Sequence, residues 1–392
     1  MTRKPPAPAS AKPWVVWCAN RIDDPVTRLK FLRSVSPLAS PGPLGGRRRL
    51  WKFALAAIVL AALLGSILIA RAATRVTPVA ASSRPRPFST LPPPPVNLPA
   101  PAVWLVDKPA DSETYSNGLR IDTRFQSPNH SRGYLAFPAN QPDSGPGVLR
   151  TVPAGIVFHT TESRQLPFEA SANSALKRVG ESLVAFVRRK HAYHYLIDRF
   201  GRVYRIVPEG DAADHAGYSI WSDDDWIYLN LNESFLGVSF ETQTEPGQED
   251  STVTPAQIHS AAMLTEMLRA RYDISAGNCV THAQVSVNPD NMRVGYHTDW
   301  ASAFPFAQLG LPDNYARPLP SLTAFGFEYD MTFVHLAGTR LYAGVELAEQ
   351  EVAREAAESG VKLVEFRKRL RKRYRARLAE ALGGGEASEG TR

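Results

Sequence analysis

An uncharged apolar run of 18 residues, Phe53–Ala70 (FALAAIVLAALLGSILIA), followed by nine prolines between Arg75 and Ala102, divides this chain of 392 residues before any fold is considered. The run is near the lower length limit for a helix that crosses a bilayer. The proline segment lacks the N–H donors of a ladder or helix and reads as an extended spacer. At about 3.1 Å per residue it would reach on the order of 80 Å. Arg47, Arg48, Arg49 and Lys52 precede the apolar run, so the positive-inside tendency puts the N-terminus in the cytoplasm and everything after about residue 71 outside. Ala70-Arg71-Ala72 offers a competing reading, a cleaved signal peptide, but the leader before the run is far longer than such signals carry. The expected order is a cytoplasmic disordered tail over 1–46, a transmembrane signal anchor over 47–71 and a Pro-rich linker over 72–102. What can form a core starts at residue 103, in a membrane-anchored, periplasmic or otherwise extracytoplasmic setting.

Composition narrows the partners. A formal net charge of +7 favours anionic surroundings, yet no RNA- or DNA-binding motif is present, so no nucleic acid partner is expected. Cys18 and Cys279 fall on opposite sides of the apolar run and form no disulfide framework. Cys279 stands three residues before His282; a Cys-x-x-His pair can hold metal, while a lone buried strand cysteine is the commoner situation.

From residue 103 the patterning predicts an α/β fold with a mixed central β-sheet flanked by helices. Asn117-Gly118 marks a hairpin in an N-terminal extension over 103–150. Within 151–310 strands are expected at GIVFHTT, HYLID, VYRIV, LGVSFET and CVTH, with helices over 169–190 and 255–272. Thr254 is a plausible N-cap for the second helix and Pro255 suits its first position. An extension over 311–344 leads to a long amphipathic charged helix over 345–382, acidic first and then basic, and a tail over 383–392. Phe366, Leu370, Tyr374 and Leu378 form an apolar stripe on that helix. It reads either as a solvated helix docked by this stripe or as a site for an anionic polymer or protein partner.

The chemistry gathers on three residues. His159 in GIVFHTT, His282 in NCVTHAQV and Asp299 in GYHTDW each stand at the end of a stretch that reads as a buried strand. Imidazole and carboxylate are ordinary zinc donors; three of them with a fourth position left to water make a hydrolytic centre. His297 competes with Asp299 for the third place. In LGVSFET the alternation of Leu236, Val238 and Phe240 with Gly237, Ser239 and Glu241 turns Glu241 to the face opposite the buried set. An exposed carboxylate in a salt bridge is the other reading of Glu241.

GIVFHTT, HYLIDRFGRVYRIV, DHAGYSIW, NESFLGVSFET, TPAQIHSAAMLTEMLRARY, CVTHAQVSVNP and HTDW occur in that order across residues 151–306. Together they resemble the zinc-dependent N-acetylmuramoyl-L-alanine amidases, the family of phage lysozyme-type amidases and animal peptidoglycan recognition proteins. The resemblance implies Zn2+ held by His159, His282 and Asp299, and hydrolysis of the bond between N-acetylmuramic acid and L-alanine in peptidoglycan muropeptides. It implies Glu241 as general base, His297 and Tyr193 as oxyanion stabilisers, and His215 and Thr160 as substrate contacts. Three departures stand out. His282 and Asp299 are 17 residues apart, a long interval for the family, so VNPDNMRVGY reads as an extended loop. His297 replaces a usual lysine. The family's Gly-Ile-Glu has become Gly237-Val238-Ser239-Phe240-Glu241. These departures leave a non-catalytic peptidoglycan-binding module as the alternative.

Overall fold

The computed structural model of the chain describes residues 100–163, 165–217, 219–243 and 253–386, which belong to one compact unit. The expected tail over 1–46, the anchor over 47–71, nearly all of the linker over 72–102 and the end of the C-terminal tail lie outside the described residues. No described helix is long and apolar enough to cross a membrane.

Eight strands make the main sheet: β1 (Leu105–Asp107), β2 (Ser112–Tyr115), β3 (Arg120–Asp122), β6 (Gly155–Thr160), β7 (Tyr195–Ile197), β8 (Val203–Arg205), β11 (Phe235–Phe240) and β12 (Cys279–Thr281). They lie in the order β1-β2-β3-β8-β7-β11-β6-β12. β11 pairs in parallel with both β6 and β7, β12 in parallel with β6, and β7 antiparallel to β8, so the sheet is mixed as expected. Every residue of β6 and β11 is buried, as their nearly continuous apolar sequences require of central parallel strands. A second antiparallel sheet is formed by β4 (Tyr134–Pro138), β5 (Val148–Arg150), β9 (Ile220–Ser222) and β10 (Trp226–Leu229), in the order β5-β4-β10-β9. Its Tyr134, Trp221 and Tyr228 share one apolar cluster with Val157 of β6 and Phe235 of β11.

Helix α1 (Asn173–Arg189) packs Val184 and Val187 on Leu196 and Tyr204. Helix α2 (Pro255–Tyr272) starts where the sequence signals it. Thr254 Oγ1 accepts the Gln257 N–H at 3.1 Å and Gln257 Oε1 accepts the Thr254 N–H at 3.0 Å, a reciprocal cap. The short α3 (His282–Val285) follows β12 directly.

The C-terminal region departs from the single helix expected over 345–382. It contains α4 (Met331–Glu358), with a break at Gly338, and α5 (Leu363–Glu386). Gly360 adopts φ 64°; its N–H bonds Ala357 O and the Val361 N–H bonds Ala356 O, both at 3.0 Å. That pair of bonds closes a helix end through a left-handed residue, and it outweighs the helical charge pattern running through it. The stripe on α5 docks as anticipated: Leu370 and Tyr374 are buried in the core, Leu378 packs at its edge, and Tyr374 meets Phe325 and Phe327. Several basic residues of α5 turn back onto the domain, Arg367 to Glu349, Arg371 to Glu328 and Arg373 to Asp143. Tyr115, Phe158, Leu341 and Tyr374 belong to one core cluster, so the extensions on both sides of 151–310 are built into its interior.

Candidate metal centre

Three elements bring three donors together. His159 is the penultimate residue of β6, His282 opens α3 at the end of the adjacent β12, and Asp299 lies in a turn beyond them. Asp299 had been expected at a strand end. It is held instead by its neighbours: its carbonyl accepts the Ala283 N–H at 3.2 Å, and Trp300, with φ 57°, is buried edge-on against Phe240 and Phe304. The long interval before it is a folded hairpin rather than an open loop. β13 (Val287–Asn288) pairs with β14 (Arg293–Val294), and Ser286 accepts the Gly295 N–H on its carbonyl and the His297 N–H on Oγ. The extra residues therefore leave and return at the same place.

His159 Nδ1 lies 3.2 Å from Asp299 Oδ2, and His282 Nδ1 lies 2.8 Å from Asp299 Oδ1. The ligand atoms of the three residues all fall within 4.8 Å of one another. Burial and the neighbouring His282 ring push His159 down to about 4 against the opposing pull of Asp299, so the imidazole is neutral at pH 7. Burial alone would raise Asp299, but the two histidines hold it far below the usual carboxylate range.

The proton positions follow from fixed partners. His215 Nε2 faces the carbonyl of Phe235 at 3.3 Å, which can only accept, so that nitrogen carries the proton and Nδ1 is the acceptor. His159 Nε2, 3.0 Å from His215 Nδ1, must then donate to it. That leaves the lone pair of His159 Nδ1 aimed at an ionised carboxylate oxygen with no proton to share. A cation between them relieves the repulsion, and buried His282 Nε2, without a hydrogen-bond partner, likewise shows that the cluster is no self-sufficient network. Two imidazoles and one carboxylate are a fitting donor set for zinc.

Residues 149–299 match the family model described as N-acetylmuramoyl-L-alanine amidase. This segment is similar to the domain of that family. The chain is 30% identical over 116 residues to N-acetylmuramoyl-L-alanine amidase AmiD of Escherichia coli strain K12; the match covers 27% of this chain and 41% of AmiD. Among solved structures, AmiD in complex with anhydro-N-acetylmuramic acid-L-Ala-D-gamma-Glu-L-Lys aligns at 25% identity over 40% of this chain and 56% of that chain, with a TM-score of 0.29. The amidase LysC from Clostridium intestinale aligns at 22% identity over 40% of this chain and 82% of that chain, with a TM-score of 0.25.

Around the trio the other anticipated residues divide. Tyr193 is close: its ring centroid is 5.1 Å from that of His159, and burial together with Asp299 pushes its hydroxyl up to about 12, so it remains a donor. His297 stands outside the trio, stacked on His282 at 4.6 Å; desolvation and the His282 ring lower its pKa against Asp299. His215 sits behind His159 with both ring nitrogens engaged, an orienting partner more than a free substrate contact. Thr160 alternates with His159 along β6, and its hydroxyl donates to Glu162 rather than joining the trio. Glu241 follows directly after β11, both of whose faces are buried, and its carboxylate takes the Arg199 N–H at 3.2 Å and lies over Gly180 of α1. Among the described residues no hydrogen bond or ion pair links it to the trio. The residue in register with His159 is Ser239. Cys279 is fully buried, with its thiol pushed up to about 12, and lies outside the donor set.

Two supports went unread in the sequence. A β-carbon on Gly237 would stand 2.6 Å from His215 Cγ, so this glycine makes room for the orienting imidazole. Arg132 is buried by the carbonyls of Glu209, Asp211, Glu233 and Phe235, tying the start of β11 to the preceding loops. Only Gly237 carried a signal, a glycine inside a strand pattern, which marks close approach.

Proposed function

We propose that the chain hydrolyses the amide between the lactyl group of N-acetylmuramic acid and the L-alanine of peptidoglycan stem peptides, with zinc held by His159, His282 and Asp299. The single observation that carries this reading is the donor trio, with its unprotonated His159 Nδ1 facing Asp299, inside the segment that matches the amidases. The matched region spans about two fifths of the curated relative, so activity and substrate of the whole chain belong to the proposal.

Zinc bound there would supply Lewis acidity, activating water and polarising the scissile carbonyl. The protein does the rest. His215 fixes the tautomer and direction of His159. Tyr193, protonated at any physiological pH, donates to the oxyanion that develops on the carbonyl, and His297 adds a neutral N–H where a lysine would bring charge. Glu241 takes the proton of the attacking water and returns it to the leaving amine; burial raises its pKa, which suits a proton shuttle. To do so it must leave the Arg199 N–H. Placement of Ser239 beside His159 favours the second reading, a domain that binds peptidoglycan without cutting it.

Anchoring by residues 53–70, with the domain outside the cytoplasmic membrane, belongs to the same reading; its support is the apolar run and the cations before it. The test is mass spectrometry of purified sacculi incubated with the full chain. With zinc, free stem peptides beginning at L-alanine appear beside peptide-free glycan; with chelator, or with His159→Ala, they do not. Intact glycan–peptide linkages in the presence of the zinc-loaded protein would contradict hydrolysis and select the binding reading.

A further inference from the structure

A cleft of about 570 Å3 lies beside the donor trio, reaching it through His215 and His297, which contact His159 and His282, and its walls do not all come from the amidase-like segment. On the inner side stands His297, whose ring lies on the ligand His282. The floor is the hairpin that lengthens the interval before Asp299, with Asn288 and Asp290, and the rim is Tyr296, which is 64% exposed and edge-on to His297. The far wall is Leu378 and Leu382 of α5, nearly eighty positions beyond the end of the matched segment. Leu382 is 49% exposed, an apolar side chain left at the mouth of a cleft.

We propose that α5 completes a subsite for the glycan strand of the substrate, with Leu378 and Leu382 as its apolar wall and Tyr296 as a stacking rim. This rests on the amidase reading of the same centre and adds to it the role of a helix outside the matched segment. The lining decides between the two halves of the polymer. Among the described residues no lysine or arginine lines the cleft, and Asp290 adds a negative charge. Stem peptides carry free carboxylates and would enter this lining unpaired. A neutral saccharide fits: pyranose rings have an apolar face for Tyr296 and the leucines, and hydroxyl edges that donate to Asn288 and Asp290. The docking of α5 makes the wall rigid. Its Tyr374 is buried, and Arg373 pairs with Asp143 at 2.7 Å.

The experiment uses the full chain and two probes, peptide-free glycan strands and free stem peptide, with binding measured by calorimetry for wild type, Leu382→Asp and Tyr296→Ala. Thermal melts show whether each variant keeps its fold; Leu382 and Tyr296 are exposed enough for both to do so. Glycan affinity falls about tenfold or more in each variant, the loss of a stacked ring or apolar contact. If glycan binding is unchanged, or if stem peptide rather than glycan loses affinity, the proposal is overturned. Hydrolysis of sacculi by wild type, followed in parallel, reports on the amidase reading separately: absence of cleavage with glycan binding intact and sensitive to Leu382→Asp would defeat that reading and leave the subsite standing.

Discussion

Gly237 supports the candidate metal centre without joining its donors. Its missing side chain lets His215 approach β11, and His215 in turn fixes His159 through a 3.0 Å bond. Gly237→Ala should push the imidazole away and loosen the ligand it orients. Zinc affinity, measured by competition with a chromophoric chelator, should fall about 10- to 100-fold, the usual cost of losing an outer-shell partner. Unchanged affinity would show that His159 needs no such support. At this scale the donors were legible in the sequence because residue type and position after apolar runs are local properties. Glu241 was legible only in part. Alternation assigned it a face, but both faces of β11 are buried, and its partner Arg199 comes from the turn after β7, a contact no local pattern encodes.

The elements most readable in the sequence are those whose ends are determined locally. α2 begins at its expected residue because Thr254 and Gln257 satisfy each other's backbone groups whatever the rest of the chain does. Thr254 also donates to the carbonyl of Arg199 at 3.0 Å, so this cap reaches the turn that seats Glu241. Thr254→Ala should cost about 1 kcal/mol of stability, read from the midpoint of urea denaturation. It should lower stem-peptide release as well if Glu241 is the base; stability loss without change in turnover would separate the two. The break at Ser359–Gly360 was the harder element. A helical charge pattern spans it, while the deciding feature is one left-handed glycine with two closing bonds. The hairpin between His282 and Asp299 was read as a long loop because its strands have only two residues each, too short for alternation to show.

Across the molecule, sequence patterning gave the mixed sheet and flanking helices but not that residues on both sides of 151–310 share one core. That depends on contacts such as Arg377 of α5 over the buried ring of Phe137 in β4, between elements more than two hundred residues apart. Strand β2, next to the edge strand β1, is tied in by a buried charge cluster: Glu113 accepts from Arg205 at 2.7 Å and Tyr115 at 2.8 Å and pairs with Lys108 at 3.0 Å. Burial alone would raise Glu113, yet these partners hold it down to about 2, below its ordinary value of 4.5. A depressed folded-state pKa adds stability above the unfolded value, and this is lost as pH falls from about 4.5 towards 2. On the order of 2 kcal/mol should disappear over that window once solvent screening is allowed for. Denaturation midpoints of wild type and Glu113→Gln should therefore converge at low pH; parallel curves would assign the acid sensitivity elsewhere. The whole account turns on which residues hold the metal. The most direct test is zinc stoichiometry, by elemental analysis of the full chain, for Asp299→Ala and His297→Ala side by side. Asp299→Ala should lose the bound zinc while His297→Ala retains one equivalent; zinc retained by Asp299→Ala and lost by His297→Ala would contradict the centre described.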